Sequence, residues 1–383
     1  VRILSVVGTR PQLIKAAALI PALRRRHQEV FVDTGQHWDD EMAGAFFREL
    51  HLPRPDVSLG LGGGNGARQV GEMLVALESV LRRHDPEVVL VYGDTNSTLA
   101  GALAAATLGY PVAHVEAGLR SFDRTMPEEI NRIVADRLAR WLFAPTPQAV
   151  ANLAAEGIRE GVWLVGDLLQ DLAARTLPEI RDPAILGRLS LEPTASSGGD
   201  GLVLRPGGYL LATVHRAANR DPERIGAWLD LLAAVASPHR PVVLPIHPGT
   251  KVALEAHGFR LPPGVRAVAP VGYRTSLALQ LHAAAVLTDS GGVQREAAWL
   301  GVPCLILREE TEWLEAVGGS GGRVVLVGLR VGEALAALDR LAPPDEAPAA
   351  ALRRAATVHL SPAGAADRIA AILAGEEPRD GGW

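Results

Sequence analysis

Residues 2–15 read Arg2-Ile3-Leu4-Ser5-Val6-Val7-Gly8-Thr9-Arg10-Pro11-Gln12-Leu13-Ile14-Lys15. The run up to Val7 is short and apolar, which is the pattern of a strand covered on both faces. Glycine breaks the run, and Pro11 suits the first position of a helix that then carries Lys15. Working outward, the same rhythm recurs: short apolar runs bounded by Gly, Pro or Asp alternate with longer Ala/Leu-rich stretches. That alternation is the mark of βαβ units and parallel sheets, so the fold class is α/β.

A first series has strands expected at 2–7, 29–34, 87–92, 111–115, 140–144 and 162–165, with helices at 11–26, 67–84, 96–108, 127–139 and 146–156. A second has strands at 209–213, 241–246, 265–268, 284–288, 302–307 and 323–327, and helices at 222–237, 273–282, 292–300 and 331–341. Two series predict two doubly wound, Rossmann-like domains, with the boundary between Gly166 and Tyr209. Thr194–Gly201 reads as an exposed loop, Ala342–Ala350 as a Pro/Ala-rich linker, and Ala363–Leu373 as a short amphipathic helix. No repeat of 20–50 residues is present.

Composition narrows the function. The chain has 383 residues, 48% hydrophobic and 21% charged, with a net charge of -5. No basic field is available for nucleic acid or anionic lipid. Cys304 is the only cysteine, which excludes a disulfide framework or thiolate metal site within one chain. No apolar run reaches the roughly 18–20 residues that span a bilayer, and the chain opens on a strand without a leader-like stretch. A cytoplasmic protein is the expectation. There are two lysines, Lys15 and Lys251, against 36 arginines, so composition alone favours Arg where Lys15 stands.

Open parallel sheets bind ligands beyond the carboxyl ends of their strands, and chemically loaded segments fall there. Gly8–Lys15 offers a helix N-terminus, the fork of Arg10 and the point charge of Lys15 to an anion. Without G-x-G-x-x-G it does not read as a nicotinamide site, and an ordinary strand–helix turn is the plain alternative. Asp289–Glu296 repeats the logic: Ser290, Gly291 and Gly292 expose backbone N–H groups to phosphate, while Glu296 can accept paired ribose hydroxyls. A Gly-rich turn and a solvated glutamate remain its alternative.

Carboxylates supply the rest. Asp94 follows the run Val88–Val91 and can equally be a helix N-cap. Glu116 ends the strand before Ala117-Gly118-Leu119-Arg120. Glu128 opens a helix that also carries Arg132, where an acid is often only a dipole partner. Three carboxylates brought to one cleft can divide acid and base roles. His215, beside Arg216 at a strand end, is a fourth candidate; His247 and His282 are left as core or surface histidines. No H-x-x-H or Cys/His cluster appears, so no metal is expected.

Taken together, Gly8–Lys15, Gln36-His37, Gly93–Thr95, Val115–Arg120, Pro127–Arg132, Thr213–Arg216 and Asp289–Glu296 resemble the non-hydrolysing UDP-N-acetylglucosamine 2-epimerases, in that family's order and over nearly the whole chain. The resemblance implies a glycosyltransferase-B-like fold with the site in the interdomain cleft. It implies a first domain of 1–168 rejoined by a C-terminal helix in 363–383, and a UDP-binding domain of 169–362. It further implies catalytic Asp94, Glu116, Glu128 and His215, and substrate contacts from Arg10, Lys15, Arg132, Ser290, Gly291, Gly292 and Glu296. No cofactor, a UDP-sugar substrate, a homodimer and a role in polysaccharide biosynthesis follow from it. Family members eliminate UDP to a 2-acetamidoglycal and add it back with protonation from the opposite face.

Some positions depart from the commoner pattern. Gln12 stands where many members have Glu, Ala218 replaces a frequent Glu, and Ser276 replaces a bulky apolar residue. Trp313 stands in place of an Arg, and Gly166–Asp171 differs from Gly-Asn-Thr. Gln12, Trp313 and Gly166–Asp171 resemble the branch acting on UDP-2,3-diacetamido-2,3-dideoxyglucuronate. Gln36-His37-Trp38-Asp39-Asp40 is spaced unlike the family's regulatory segment. The competing readings are a glycosyltransferase on the same scaffold, whose rate depends on an acceptor, a hydrolysing relative that releases free N-acetylmannosamine and UDP, and a non-catalytic UDP-sugar sensor that binds UDP with no deuterium entering C2.

Overall fold

The apolar runs form strands whose inner residues are shielded from solvent, as the parallel-sheet reading requires. A computed structural model describes residues 1–36, 47, 49–63, 66–189, 191, 203–311, 313–341 and 364–376. The chain divides into two compact units, Val1–Leu172 with Ser361–Trp383, and Ala173–Leu360. The loop expected at Thr194–Gly201, the linker at Ala342–Ala350 and His37–Asp40 lie outside the described residues.

In the first unit the strands are β1 (Arg2–Val7), β2 (Gln28–Asp33), β3 (Val57–Ser58), β4 (Val88–Tyr92), β5 (Val112–Val115), β6 (Ala139–Ala144) and β7 (Val162–Leu164). All pair in parallel in the order β3-β2-β1-β4-β5-β6-β7. Helix Gly66–His84 buries Met73, Leu77, Val80 and Leu81. Their helical spacing lays them on Val6, Val32, Val89 and Val91 of the sheet. Each such side chain contributes about 1.5–3 kcal/mol when fully buried.

The second unit carries β8 (Leu210–Thr213), β9 (Val242–Pro245), β10 (Val265–Val268), β11 (Ala285–Thr288), β12 (Cys304–Ile306) and β13 (Val324–Leu326). They form a parallel sheet ordered β10-β9-β8-β11-β12-β13. Helix Pro222–Val235 packs Trp228, Leu231 and Leu232 on it, and the Trp228 indole donates to Asn219 O at 3.1 Å.

Each sheet order reverses once, between β1 and β4 and between β8 and β11. Such switch points open the crevices where doubly wound sheets hold ligands. Gly8–Lys15 and Gly93–Asp94 follow β1 and β4; His215–Arg216 and Asp289–Ser290 follow β8 and β11.

The C-terminal helix Ala365–Leu373 belongs to the first unit. Asp171 accepts from Gly364 N and Ala366 N, both at 2.8 Å, and the His27 ring lies 2.8 Å from Ala370 O. Among the described residues, helices Leu168–Ile180, Pro248–Ala256 and Leu314–Gly319 and strand β3 lie outside the sequence expectation; the first fills the stretch where the domain boundary is expected, and the second follows β9.

Candidate active site

At the β1–β4 switch point the sequence builds a buried polar cradle. Gly8 is required by close approach, since a Cβ there would lie 2.0 Å from Thr34 Oγ1 and 2.2 Å from Ser97 Oγ. Gln12, 1% exposed, accepts from Gly8 N at 2.8 Å and Thr9 N at 3.2 Å. Its amide nitrogen donates to Tyr92 O at 2.8 Å and Thr98 Oγ1 at 3.0 Å. One side chain thus ties the turn after β1 to the turn after β4, using both a donor and an acceptor end. That is a physical reason for Gln rather than Glu, which could not donate to the Tyr92 carbonyl.

One turn on, Lys15 is buried with its ammonium on the Glu116 carboxylate. Gly93 sits beside this pair at φ +63, and a Cβ there would lie 3.1 Å from Lys15 Nζ. Glu116 itself has φ +66, a left-handed conformation that costs a non-glycine residue about 1–3 kcal/mol and tends to mark functional sites. Arg10 is exposed at the helix start.

Asp94 is not the cap of the next helix; Thr95 is, its hydroxyl accepting from Thr98 N. The Asp94 carboxylate is instead ion-paired with Arg132, and its carbonyl accepts from Asn131 Nδ2 at 3.0 Å. Arg132, expected on substrate, also donates to Glu129 Oε2 at 2.8 Å. Asp94 and Glu116 therefore stand at the ends of adjacent strands β4 and β5, each neutralised by a cation.

Glu128 does not join them in the buried network. It is exposed in the first turn of helix Pro127–Leu138, while Glu129, 1% exposed, turns inward. Successive helical residues point about 100° apart, and the Ser121–Phe122 amides lie on the Glu129 side. Glu129 accepts from Ser121 N and Oγ at 2.9 Å and Phe122 N at 3.0 Å. Burial pushes its carboxyl up, but these bonds and the Arg132 charge outweigh burial and hold it low.

Sequence reasoning also passed over the groups beneath these turns. His114 and Asp136 are wholly buried and hydrogen-bonded at 2.7 Å, and Arg120 pairs with Asp136 at 2.8 Å. Burial raises Asp136, and the charges and bonds of His114 and Arg120 more than reverse it. The available signal was the polar series Glu129, Arg132, Asp136 along one helix face.

At the β8–β11 switch point Asp289 organises the site. Its carboxylate accepts from His215 N and Arg216 N at 3.0 Å and Asn219 Nδ2 at 2.7 Å, and it lies 2.8 Å from His215 Nδ1. Burial pushes Asp289 up, yet the His215 bond and charge, with the Arg216 and Asn219 donors, hold it below the usual carboxylate range. Nδ1 being engaged, His215 can act through Nε2.

The expected nest is smaller than the sequence suggested, because Ser290 N already donates to Thr288 Oγ1 at 2.9 Å and Ser290 Oγ accepts from Val293 N. Gly291 and Gly292 open helix Gly291–Leu300 with their N–H groups unspent among the described residues. Glu296, 6% exposed, accepts from Gln280 Nε2 at 2.7 Å. Trp313 lies under the Arg295 guanidinium at 3.6 Å. Among the described residues no group of three His, Cys, Asp or Glu is placed to hold a metal, and no helix is long and apolar enough to cross a membrane.

The UDP-N-acetylglucosamine 2-epimerase family model matches residues 21–374. A UDP-N-acetylglucosamine 2-epimerase homolog of Methanococcus maripaludis is 41% identical over 351 residues, covering 90% of this chain and 94% of that protein. The UDP-2,3-diacetamido-2,3-dideoxy-D-glucuronate 2-epimerase of Pseudomonas aeruginosa is 42% identical over 333 residues, covering 85% and 88%. The crystal structure of Methanocaldococcus jannaschii UDP-GlcNAc 2-epimerase in complex with UDP-GlcNAc and UDP matches with a TM-score of 0.77 at 34% identity, covering 94% of this chain and 99% of that one. With two doubly wound sheets of the glycosyltransferase-B-like class and a match running almost end to end, the chain belongs to the UDP-N-acetylglucosamine 2-epimerase family.

Proposed function

We propose that the chain interconverts UDP-N-acetylglucosamine and UDP-N-acetylmannosamine, without hydrolysis, by eliminating UDP and adding it back. The observation that carries this is the pair of cation-neutralised carboxylates, Asp94 and Glu116, on neighbouring strand ends at the β1–β4 switch point. C2–H of a pyranose lies beside no carbonyl, so its direct removal leaves an unstabilised carbanion. Departure of UDP from C1 develops positive charge there and acidifies that hydrogen.

One carboxylate takes the C2 proton, the C–H pair becomes the C1=C2 bond, and the C1–O pair leaves with UDP. The diphosphate oxygen then adds back to C1 while the C1=C2 pair takes a proton, on the opposite face, from the other carboxyl group, which has been protonated from solvent; the first carboxyl returns its proton to solvent. Asp94 and Glu116 take these roles, with Glu128 supporting or exchanging. Lys15 and Arg10, with His215 through Nε2 and the Gly291 and Gly292 amides, hold the leaving diphosphate; Ser290 positions that turn, Arg132 sets Asp94, and Glu296 takes the ribose. Each positioned acid or base is worth about 10²–10⁴ in rate. The first unit is read as the catalytic domain and the second as the UDP-binding domain. On the same reading the protein is a cytoplasmic homodimer that supplies polysaccharide biosynthesis.

A second substrate is favoured by two observations: the Gln12 bridge, which uses its amide donor, and the Trp313–Arg295 stack. Both positions resemble the branch acting on UDP-2,3-diacetamido-2,3-dideoxyglucuronate. Incubating the protein with each UDP-sugar in D₂O and following proton NMR tests both readings. The manno epimer with deuterium at C2 supports the first; exchange only in the diacetamido-glucuronate moves the assignment to the second. Release of free sugar and UDP counts against both.

A further inference from the structure

Two turns carry the carboxylates, and both hold left-handed residues, Gly93 at φ +63 and Glu116 at φ +66. Such conformations persist where the surroundings over-determine them. One buried ring reaches the first turn directly and the second through its partner. His114 Nε2 lies 2.7 Å from Gly93 O, the carbonyl of the peptide that leads into Asp94. His114 Nδ1 lies 2.7 Å from Asp136 Oδ1, and Asp136 Oδ2 accepts from Gly118 N at 3.1 Å, two residues past Glu116. Arg120 holds Asp136 from the far side and is itself fixed by Glu156 at 2.6 and 2.9 Å. The ring and carboxylate are fully buried, so solvent cannot substitute for either bond.

We infer that His114 and Asp136 form a positioning clamp that sets the Asp94 turn and the Glu116 turn in mutual register for proton transfer at C2. The inference rests on the epimerase reading above. A carbonyl and an ionised carboxylate both only accept, so both ring nitrogens of His114 donate. Neither residue touches substrate in this account; they act through the backbone of the two turns.

The ring can be divided by substitution. In His114→Asn the amide nitrogen stands near the Nδ1 place and keeps Asp136 but releases Gly93 O. In His114→Gln it stands near the Nε2 place and keeps Gly93 O. His114→Asn is expected to lose about a hundredfold in kcat, the scale of an ångström-level misplacement, with KM and UDP affinity within about threefold. It is also expected to release 2-acetamidoglycal and UDP, because return of the proton is mistimed. His114→Gln gives up Asp136 instead, so it too is expected to lose about a hundredfold in kcat with KM within about threefold, because either opening breaks the register. Equal kcat per folded molecule in both variants and the unaltered enzyme, whatever their melting temperatures, would overturn the clamp.

Should neither variant fold, a ¹⁵N spectrum of the histidine-labelled unaltered protein decides. A buried ring with slowly exchanging hydrogens on both nitrogens supports the clamp, and its absence overturns it. An unaltered protein that exchanges no C2 hydrogen sinks the epimerase reading, and the same spectrum still judges the geometry.

Discussion

Gly93→Ala probes the crowded point of the site. Gly93 has φ +63, and a Cβ there would come within 3.1 Å of Lys15 Nζ and 3.5 Å of Glu116 Oε2. The left-handed backbone alone costs an alanine about 1–2 kcal/mol. The ammonium must also move by a few tenths of an ångström, away from the carboxylate with which it is paired. A stability loss of about 1–2 kcal/mol corresponds to a fall of about 3–6 °C in melting temperature for a domain of this size. Catalysis should suffer more than stability, since displacement of one reacting group costs on the order of a hundredfold. Thermal melts by circular dichroism and C2 exchange by NMR, run on the same preparation, separate the two. A variant with an unchanged melting temperature and kcat within twofold of the parent would refute the reasoning.

Other perturbations follow from the same contacts. Glu116→Gln should abolish C2 exchange while calorimetry finds UDP affinity within about a few-fold of the parent, because Arg10, His215 and the Gly291 and Gly292 amides still hold the diphosphate and Lys15, released from the carboxylate, keeps its charge. Gln12→Glu exchanges the donor facing Tyr92 O for an acceptor, so urea denaturation should show a loss of about 1–3 kcal/mol. Asp289 and Asp136 are both held below the usual carboxylate range. Their contribution is therefore complete above the unfolded value of about 4 and is lost as pH falls through the lower folded values. The urea midpoint should decline steeply below about pH 4, and Asp289→Asn should be weaker at neutral pH with a shallower acid decline. An identical acid profile in that variant would count against the assignment.

The sheet was legible because parallel strands buried on both faces announce themselves as apolar runs: β1, β10 and helix Tyr273–His282 begin and end as the sequence pattern suggests. Helix Leu168–Ile180 escaped because it lies in the stretch from Gly166 to Tyr209 where the domain boundary is expected, and contains Pro178. Helix Pro248–Ala256 escaped because His247, Pro248 and Gly249 resemble a loop, although the His247 ring caps Gly249 N at 3.1 Å. At the site, residue types at strand ends were readable, but partners were not. No local pattern tells that Glu129 rather than Glu128 turns inward, or that Asp289 gathers the His215 amide and the Asn219 side chain. Those outcomes depend on neighbours brought near by the fold.

Cleavage of the C1–oxygen bond is the step on which the account turns, and positional isotope exchange reads it directly. UDP-N-acetylglucosamine labelled with ¹⁸O in the bridge between C1 and the β-phosphate is incubated with the protein and followed by ³¹P NMR. The account expects label to scramble into the non-bridging β-phosphate positions as the manno epimer forms. Epimer that accumulates with all its label still in the bridge would contradict it.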